Sequence, residues 1–173
     1  MVFTLFHYPL AYFIYKISGK KLNMYDLAFG AFMVDIEIPI LFLLSVYPPR
    51  LILHSIFGAF IFSVPIAFLL YPLVYKFLSF FDIFANPKPR SLTSIVLGAE
   101  SHVFLDVFNH TNNPVFWPFR SNPYIDLVFF NNLIVANIIM HTIFISFSVF
   151  LFAKAYSKSK SFRNALSLML MGD

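Results

Sequence analysis

The chain has 173 residues, of which 60% are hydrophobic, 20% aromatic and only 12% charged, with a formal net charge of +4 and no cysteine. A soluble domain carries about twice that charged fraction, so the composition predicts one all-α domain embedded in a membrane. The lack of cysteine excludes disulfides and thiolate metal ligands. No basic stripe interleaves with stacking aromatic residues, so we expect no nucleic-acid partner.

Five membrane helices are predicted in chain order. The first, about residues 3–17, is short for a span and either crosses or re-enters the bilayer. We expect it to be retained, because its first residues lack the positive region of a signal peptide. The others run over about residues 24–47, 50–81, 92–109 and 124–155. A basic tail, 154–173, ends in a short helix near 165–171, so residues 1–173 form one membrane-embedded helical domain.

Basic residues distinguish the two ends of these helices. If helices two to five alternate in direction, ten of the twelve Lys and Arg residues fall on one side, in loops 18–23 and 76–91, at their edges and in the C-terminal tail. Only Arg50 and Arg120 fall on the other side. Since positive loops face the cytoplasm, we predict an integral protein of the cell membrane with those two loops and the C-terminus cytoplasmic.

His102 and Asp106 form the most informative pair in the sequence. They are four residues apart on the fourth predicted helix, so both side chains project from one face. A histidine and a carboxylate inside a membrane are costly to bury unless something uses them, and a bound metal ion is the use we favour. The alternative is a hydrogen-bonded pair that only joins helices.

Three further polar residues fall at a similar depth. At ~1.5 Å per residue, Asp35 lies roughly 16 Å along the second helix, near the middle of the bilayer. His54, Asp106 and, if the first segment spans, His7 lie about 6 Å below the outer surface, and His102 lies about 12 Å below it. Five candidate ligands therefore share the outer half of the bilayer.

Imidazole and carboxylate groups suit a divalent metal ion. Zn²⁺ takes such ligands at about 2.0–2.2 Å, and Mn or Fe also accepts them. We predict one or two ions. The first would use Asp35, His54, His102 and Asp106, and the second would use His7 with help from Asp106 or His110. Such a cluster activates water and stabilises phosphoryl oxygens, so it suits the hydrolysis of a phosphate ester.

Neighbouring residues receive supporting roles. Glu37 is two residues from Asp35, roughly on the opposite helix face, and is expected either as a general base or as a group behind the ligands. With Asp35 and Asp106, it forms the predicted catalytic set. Arg50 lies one turn from His54 and, together with Arg120, is expected to bind an anionic head group.

Four stretches around these residues resemble the membrane-bound YdjM-like metal-dependent hydrolases, especially their archaeal relatives. The stretches are Phe3-Thr4-Leu-Phe-His7-Tyr-Pro9, Gly30-x4-Asp35-x-Glu37, Arg50-x3-His54-Ser55, and Gly98-x2-Ser101-His102-x3-Asp106 followed by Trp117-Pro118-Phe119. More distantly, the order of His and Asp looks like that of the zinc-dependent phospholipase C and single-strand nuclease superfamily. The resemblance implies that the metal ligands are His7, Asp35, His54, His102 and Asp106.

The more distant superfamily also uses a later His-x3-Glu pair. Here Ile145 follows His141 at that spacing, which favours one or two ions over three. We therefore expect a metal-dependent hydrolase whose substrate is a membrane lipid or a lipid-linked molecule, with the active site in the outer half of the bilayer. Two alternatives stay open: a transporter that relays protons or metal, and a non-catalytic scaffold stabilised by a structural metal.

Overall fold

The computed structural model describes residues 7–47, 50–83, 90–119 and 125–172, and this part of the chain is helical and contains no strand. The helices are α1 (Tyr8–Ile17), α2 (Met24–Val34), α3 (Glu37–Leu43), α4 (Ile56–Phe80), α5 (Leu92–Asp106), α6 (Leu133–Ser159) and α7 (Phe162–Met171). A π-helical segment, Ala59–Ser63, lies within α4, and a 3₁₀ turn, Phe129–Asn131, precedes α6.

The second predicted helix is divided into α2 and α3. Pro39 has no N–H to donate to the carbonyl of Asp35, and the N–H of Ile38 donates to that carbonyl instead, at 3.0 Å. The helical path therefore breaks beside Asp35. The prediction that this helix continues to Tyr47 is wrong, because α3 ends at Leu43 and the backbone turns at residues 44–45.

Two helices begin later in the chain than predicted, each directly after a residue whose side chain caps it. The third begins at Ile56 rather than at Arg50, because the Ser55 hydroxyl accepts the N–H of Gly58 at 2.9 Å. The fifth begins at Leu133, since the side chain of Asn132 accepts the first N–H groups of α6 and described residues 125–132 are not α-helical. Hydrophobicity runs through both starts, so it did not reveal them.

Three other helix boundaries differ more modestly from the prediction. The fourth predicted helix ends at Asp106 rather than at residue 109, and the fifth continues to Ser159 rather than residue 155. Lys160 then adopts a left-handed conformation with φ of 55°, which ends α6. The terminal helix begins at Phe162 rather than near residue 165.

Two helices of the described chain are long and apolar enough to cross a membrane. They are α4, with 25 residues, and α6, with 27 residues. By contrast, α1, α2 and α5 have 10, 11 and 15 residues, fewer than the roughly 20 that a membrane-spanning helix needs. The structure therefore supports a helical membrane protein with two candidate spans, and it does not confirm five.

Helices α2 and α5 run in parallel with their backbones in contact. A methyl group on Gly30 would overlap the carbonyl oxygen of Ile95, and one on Gly98 would overlap that of Leu27. Only glycine at these two positions permits so close an approach.

The starts of α2 and α5 are joined by hydrogen bonds. The N–H of Asn23 donates to the Ser94 hydroxyl at 2.9 Å, and the N–H of Ser91 donates to the Asp26 carboxylate at 2.6 Å. These bonds fix the register of the two helices. Because the helices are parallel and in register, their C-terminal ends lie side by side.

Candidate metal centre

The predicted ligands converge where α2 and α5 end. Asp35 follows the last residue of α2, while His102 and Asp106 lie in the last turn and a half of α5. The C-terminal end of a helix carries partial negative charge, so two such ends favour a cation between them. His7 precedes α1, and His54 lies in the turn before α4.

Four side-chain atoms of the cluster lie close together. The Nε2 atom of His102 lies 3.3 Å from Asp35 Oδ1 and 3.6 Å from Asp106 Oδ2. The Nε2 atom of His54 lies 3.5 Å from Asp35 Oδ1 and 3.7 Å from Asp106 Oδ2. Ligands about 2.0–2.2 Å from a tetrahedral ion are separated by roughly 3.3–3.6 Å. The four nitrogen–oxygen distances lie in or close to this range, so atoms of this group could share one ion.

The ligand atoms are buried and directed inward. His54, His102 and Asp106 are at most 2% exposed. Within the described residues, the Nε2 atoms of both histidines and Oδ1 of Asp106 have no hydrogen-bond partner. Leaving such a group unsatisfied costs about 1–3 kcal/mol, a cost that a bound ion would remove. Two sets of three residues could hold an ion: His7, Asp35 and His102, and His54, His102 and Asp106.

His7 approaches the other oxygen of Asp106. Its Nε2 atom lies 3.6 Å from Asp106 Oδ1, and its ring stacks on that of His102 with 3.6 Å between centroids. Asp106 therefore faces His102 and His54 through one oxygen and His7 through the other.

Glu37 supports His54 from behind. Its two oxygens accept the N–H groups of Leu51 and Leu53, and Oε1 lies 3.1 Å from His54 Nδ1. A carboxylate bound to the far nitrogen of a histidine fixes the ring so that the other nitrogen faces the metal. Of the two roles predicted for Glu37, the geometry favours this one over that of a general base.

Arg50 and His110 lie together at the edge of the cluster. The Nε–H of Arg50 donates to Asp106 Oδ2 at 3.1 Å, and its Nη2–H donates to His110 Nε2 at 2.9 Å. Burial lowers the pKa of His110 to about 4; Asp106 acts in the opposite direction and Arg50 adds to the lowering. His110 is therefore a neutral acceptor for the guanidinium at neutral pH.

The structure brings together eight of the nine predicted site residues: His7, Asp35, Glu37, Arg50, His54, His102, Asp106 and His110. Arg120 lies outside the described residues. Sequence reasoning missed Asn113, whose amide donates to the carbonyls of Asp106 and His110 and fixes the turn after α5. The Asn112-Asn113-Pro114 stretch was the available signal.

The fifth histidine of the chain lies outside the cluster. His141 is on α6, where its Nδ1 donates to the carbonyl of Asn137, 2.6 Å away. Its ring thus caps a carbonyl of its own helix.

The fold and the cluster together define a helical membrane protein with a buried group of His and Asp residues that could hold a metal ion. Residues 4–172 match the family model described as YdjM inner membrane protein. The match extends over nearly the whole chain, so the chain belongs to this family. Comparison with curated proteins and with solved structures gives no match.

Proposed function

We propose that this protein is a metal-dependent hydrolase of the membrane that cleaves a phosphate ester in a lipid or a lipid-linked substrate. The observation that carries the proposal is a buried group in which each of two imidazole nitrogens lies 3.3–3.7 Å from two carboxylate oxygens. Zinc suits these imidazole and carboxylate ligands, and Mn or Fe is the alternative.

We assign some of the residues as metal ligands and others to substrate binding and proton transfer. Asp35, His54, His102 and Asp106 would hold the ion, which would activate water and polarise a phosphoryl oxygen. We assign Arg50 to the binding of the phosphate group, because a guanidinium donates two parallel hydrogen bonds to phosphate oxygens. Asp106 Oδ1, which no described group hydrogen-bonds, would accept the proton released during the reaction.

A lipid substrate is supported by the surface beside the centre. Helix α3 begins at Glu37, and apolar side chains near its C-terminal end point outward: Leu43 is 82% exposed and Phe42 is 56% exposed. An exposed apolar segment next to a polar site is the arrangement expected where lipid approaches. The order of His and Asp along this chain, which resembles that of zinc-dependent phospholipase C, also supports hydrolysis of a phosphate ester.

We also propose that the polar cluster faces the outer half of the membrane, with loops 18–23 and 76–91 and the C-terminus in the cytoplasm. The parallel direction of α2 and α5 supports this topology. If successive predicted helices alternate in direction, the second and the fourth enter the bilayer from the same side. They must then run in the same direction, as α2 and α5 do.

Metal analysis of the purified full-length protein tests the proposal. We expect the wild type and the His141→Ala control to carry the ion, and His102→Ala and Asp35→Ala to lose it. Release of phosphate or head group from native lipids should then depend on the ion and stop in a chelator. Equal metal content in all four proteins would overturn the site. A bound ion without hydrolysis of any lipid would favour the scaffold alternative.

A further inference from the structure

We infer that the centre holds a single divalent cation and that the guanidinium of Arg50 occupies the place of a second one. This inference rests on the proposed function, because it concerns how the same site would hold a phosphate group. The sequence alone left one and two ions open.

The first argument is the balance of buried charge. Asp35, Glu37 and Asp106 are 9%, 8% and 2% exposed, and Arg50 is 8% exposed. Three carboxylates and one guanidinium leave two negative charges, since the histidines must be neutral to bind a metal. One divalent cation neutralises this charge. Two would leave an excess of two positive charges in a buried site, which is strongly unfavourable.

The second argument is the direction of the hydrogen bonds. A guanidinium has five donors and no acceptor, so it uses the lone pair of His110 Nε2 in the 2.9 Å contact. That nitrogen cannot also bind an ion while Arg50 is in place. Asp106 Oδ2 accepts from Arg50 at 3.1 Å as well. Of the second predicted set, only His7 and the shared Asp106 remain. The other set that includes His7 depends on His102, whose Nε2 atom already faces the first ion, so too few ligands remain for a second ion.

The consequence concerns the phosphate. In two-metal sites, the second ion stabilises the oxygens of the reacting phosphate group. Here the positive charge of Arg50 is fixed beside Asp106 and would perform that task without a second ion. His110 is then a positioning residue that holds the guanidinium by accepting one of its N–H groups.

Zinc titration of the full-length protein in detergent, followed by metal analysis, tests the stoichiometry. We expect about one ion per chain in the wild type and in His110→Ala. Two ions in the wild type, or loss of the ion in His110→Ala, would overturn the inference. No ion in the wild type at any zinc concentration would instead overturn the proposed function, so the two failures are distinguishable.

Binding of inorganic phosphate to the zinc-loaded protein tests the role of Arg50. We expect Arg50→Gln to keep its zinc and to weaken phosphate binding at least tenfold, roughly what one charged hydrogen bond contributes. Arg50→Lys, which keeps the charge and serves if the glutamine variant does not fold, should weaken it less than Arg50→Gln. Unchanged phosphate affinity in the folded variants would show that Arg50 does not bind the anion, and would overturn the inference.

Discussion

Helix α6 and the pair formed by α2 and α5 differ in what surrounds their side chains. Of the 27 residues of α6, the buried ones are Ala136, Met140, Leu151 and Ala155. In α5, nine of 15 residues are buried, among them His102 and Asp106 of the candidate metal centre. Both segments are apolar, but most side chains of α6 are exposed and most of those of α5 are buried. Hydropathy therefore identifies a candidate membrane span, whereas close packing identifies the helices that build the site.

Replacing a glycine at the contact between α2 and α5 should have the largest effect. In Gly98→Val, the new side chain would overlap the carbonyl of Leu27, and no rotamer relieves an overlap that begins at Cβ. We expect a loss of stability of more than about 3 kcal/mol and no bound metal. Thermal unfolding in detergent and metal analysis measure both.

The matched control places the same side chain on α6. Ala153 is exposed, so Ala153→Val should change stability by less than about 0.5 kcal/mol and leave the metal in place. If Gly98→Val bound the ion as tightly as Ala153→Val, the close approach of α2 and α5 would not be what assembles the centre.

A pair of isoleucines should give the next largest difference. Ile95 on α5 is fully buried, while Ile138 on α6 is 62% exposed. We expect Ile95→Ala to cost about 2 kcal/mol, the lower end for a buried isoleucine, because separated helices in lipid remain in an apolar solvent. Ile138→Ala exchanges one lipid contact for another and should cost less than about 0.5 kcal/mol. Equal losses in the unfolding measurement would mean that α6 is packed against protein.

Much of the candidate site could be predicted from residue type and spacing. His102 and Asp106 share a helix face whatever the rest of the fold does. Asp35 and His54 were added because a topology based on loop charge gave them a similar depth, and the structure brings both within 4 Å of His102 or Asp106. Local geometry was therefore sufficient for His102 and Asp106, whereas the five-span topology used to add Asp35 and His54 is not confirmed.

The supporting residues could not be assigned in this way. On an uninterrupted helix, Glu37 would face away from Asp35, yet the break between α2 and α3 redirects the chain, so that both residues contact His54. The bond between Arg50 and His110 joins residues 60 positions apart, which spacing along one helix cannot reveal. The predicted helix boundaries were wrong for a related reason. Capping side chains and proline set a boundary at places where the hydrophobic sequence continues.

The smallest predicted effect distinguishes the two roles considered for Glu37. Glu37→Gln keeps the size of the side chain and one oxygen for a backbone N–H, but it removes the charge that orients His54. We expect zinc affinity to fall about tenfold, or about 1.4 kcal/mol, measured by competition with a chelator. Glu100→Gln is the control, because Glu100 lines an apolar cavity with Val103 and Phe104 on α5, away from the cluster, and zinc affinity should not change. A Glu37→Gln protein with normal zinc affinity and no hydrolysis would instead make Glu37 the general base, since its effect would then lie in the reaction and not in holding the ligand.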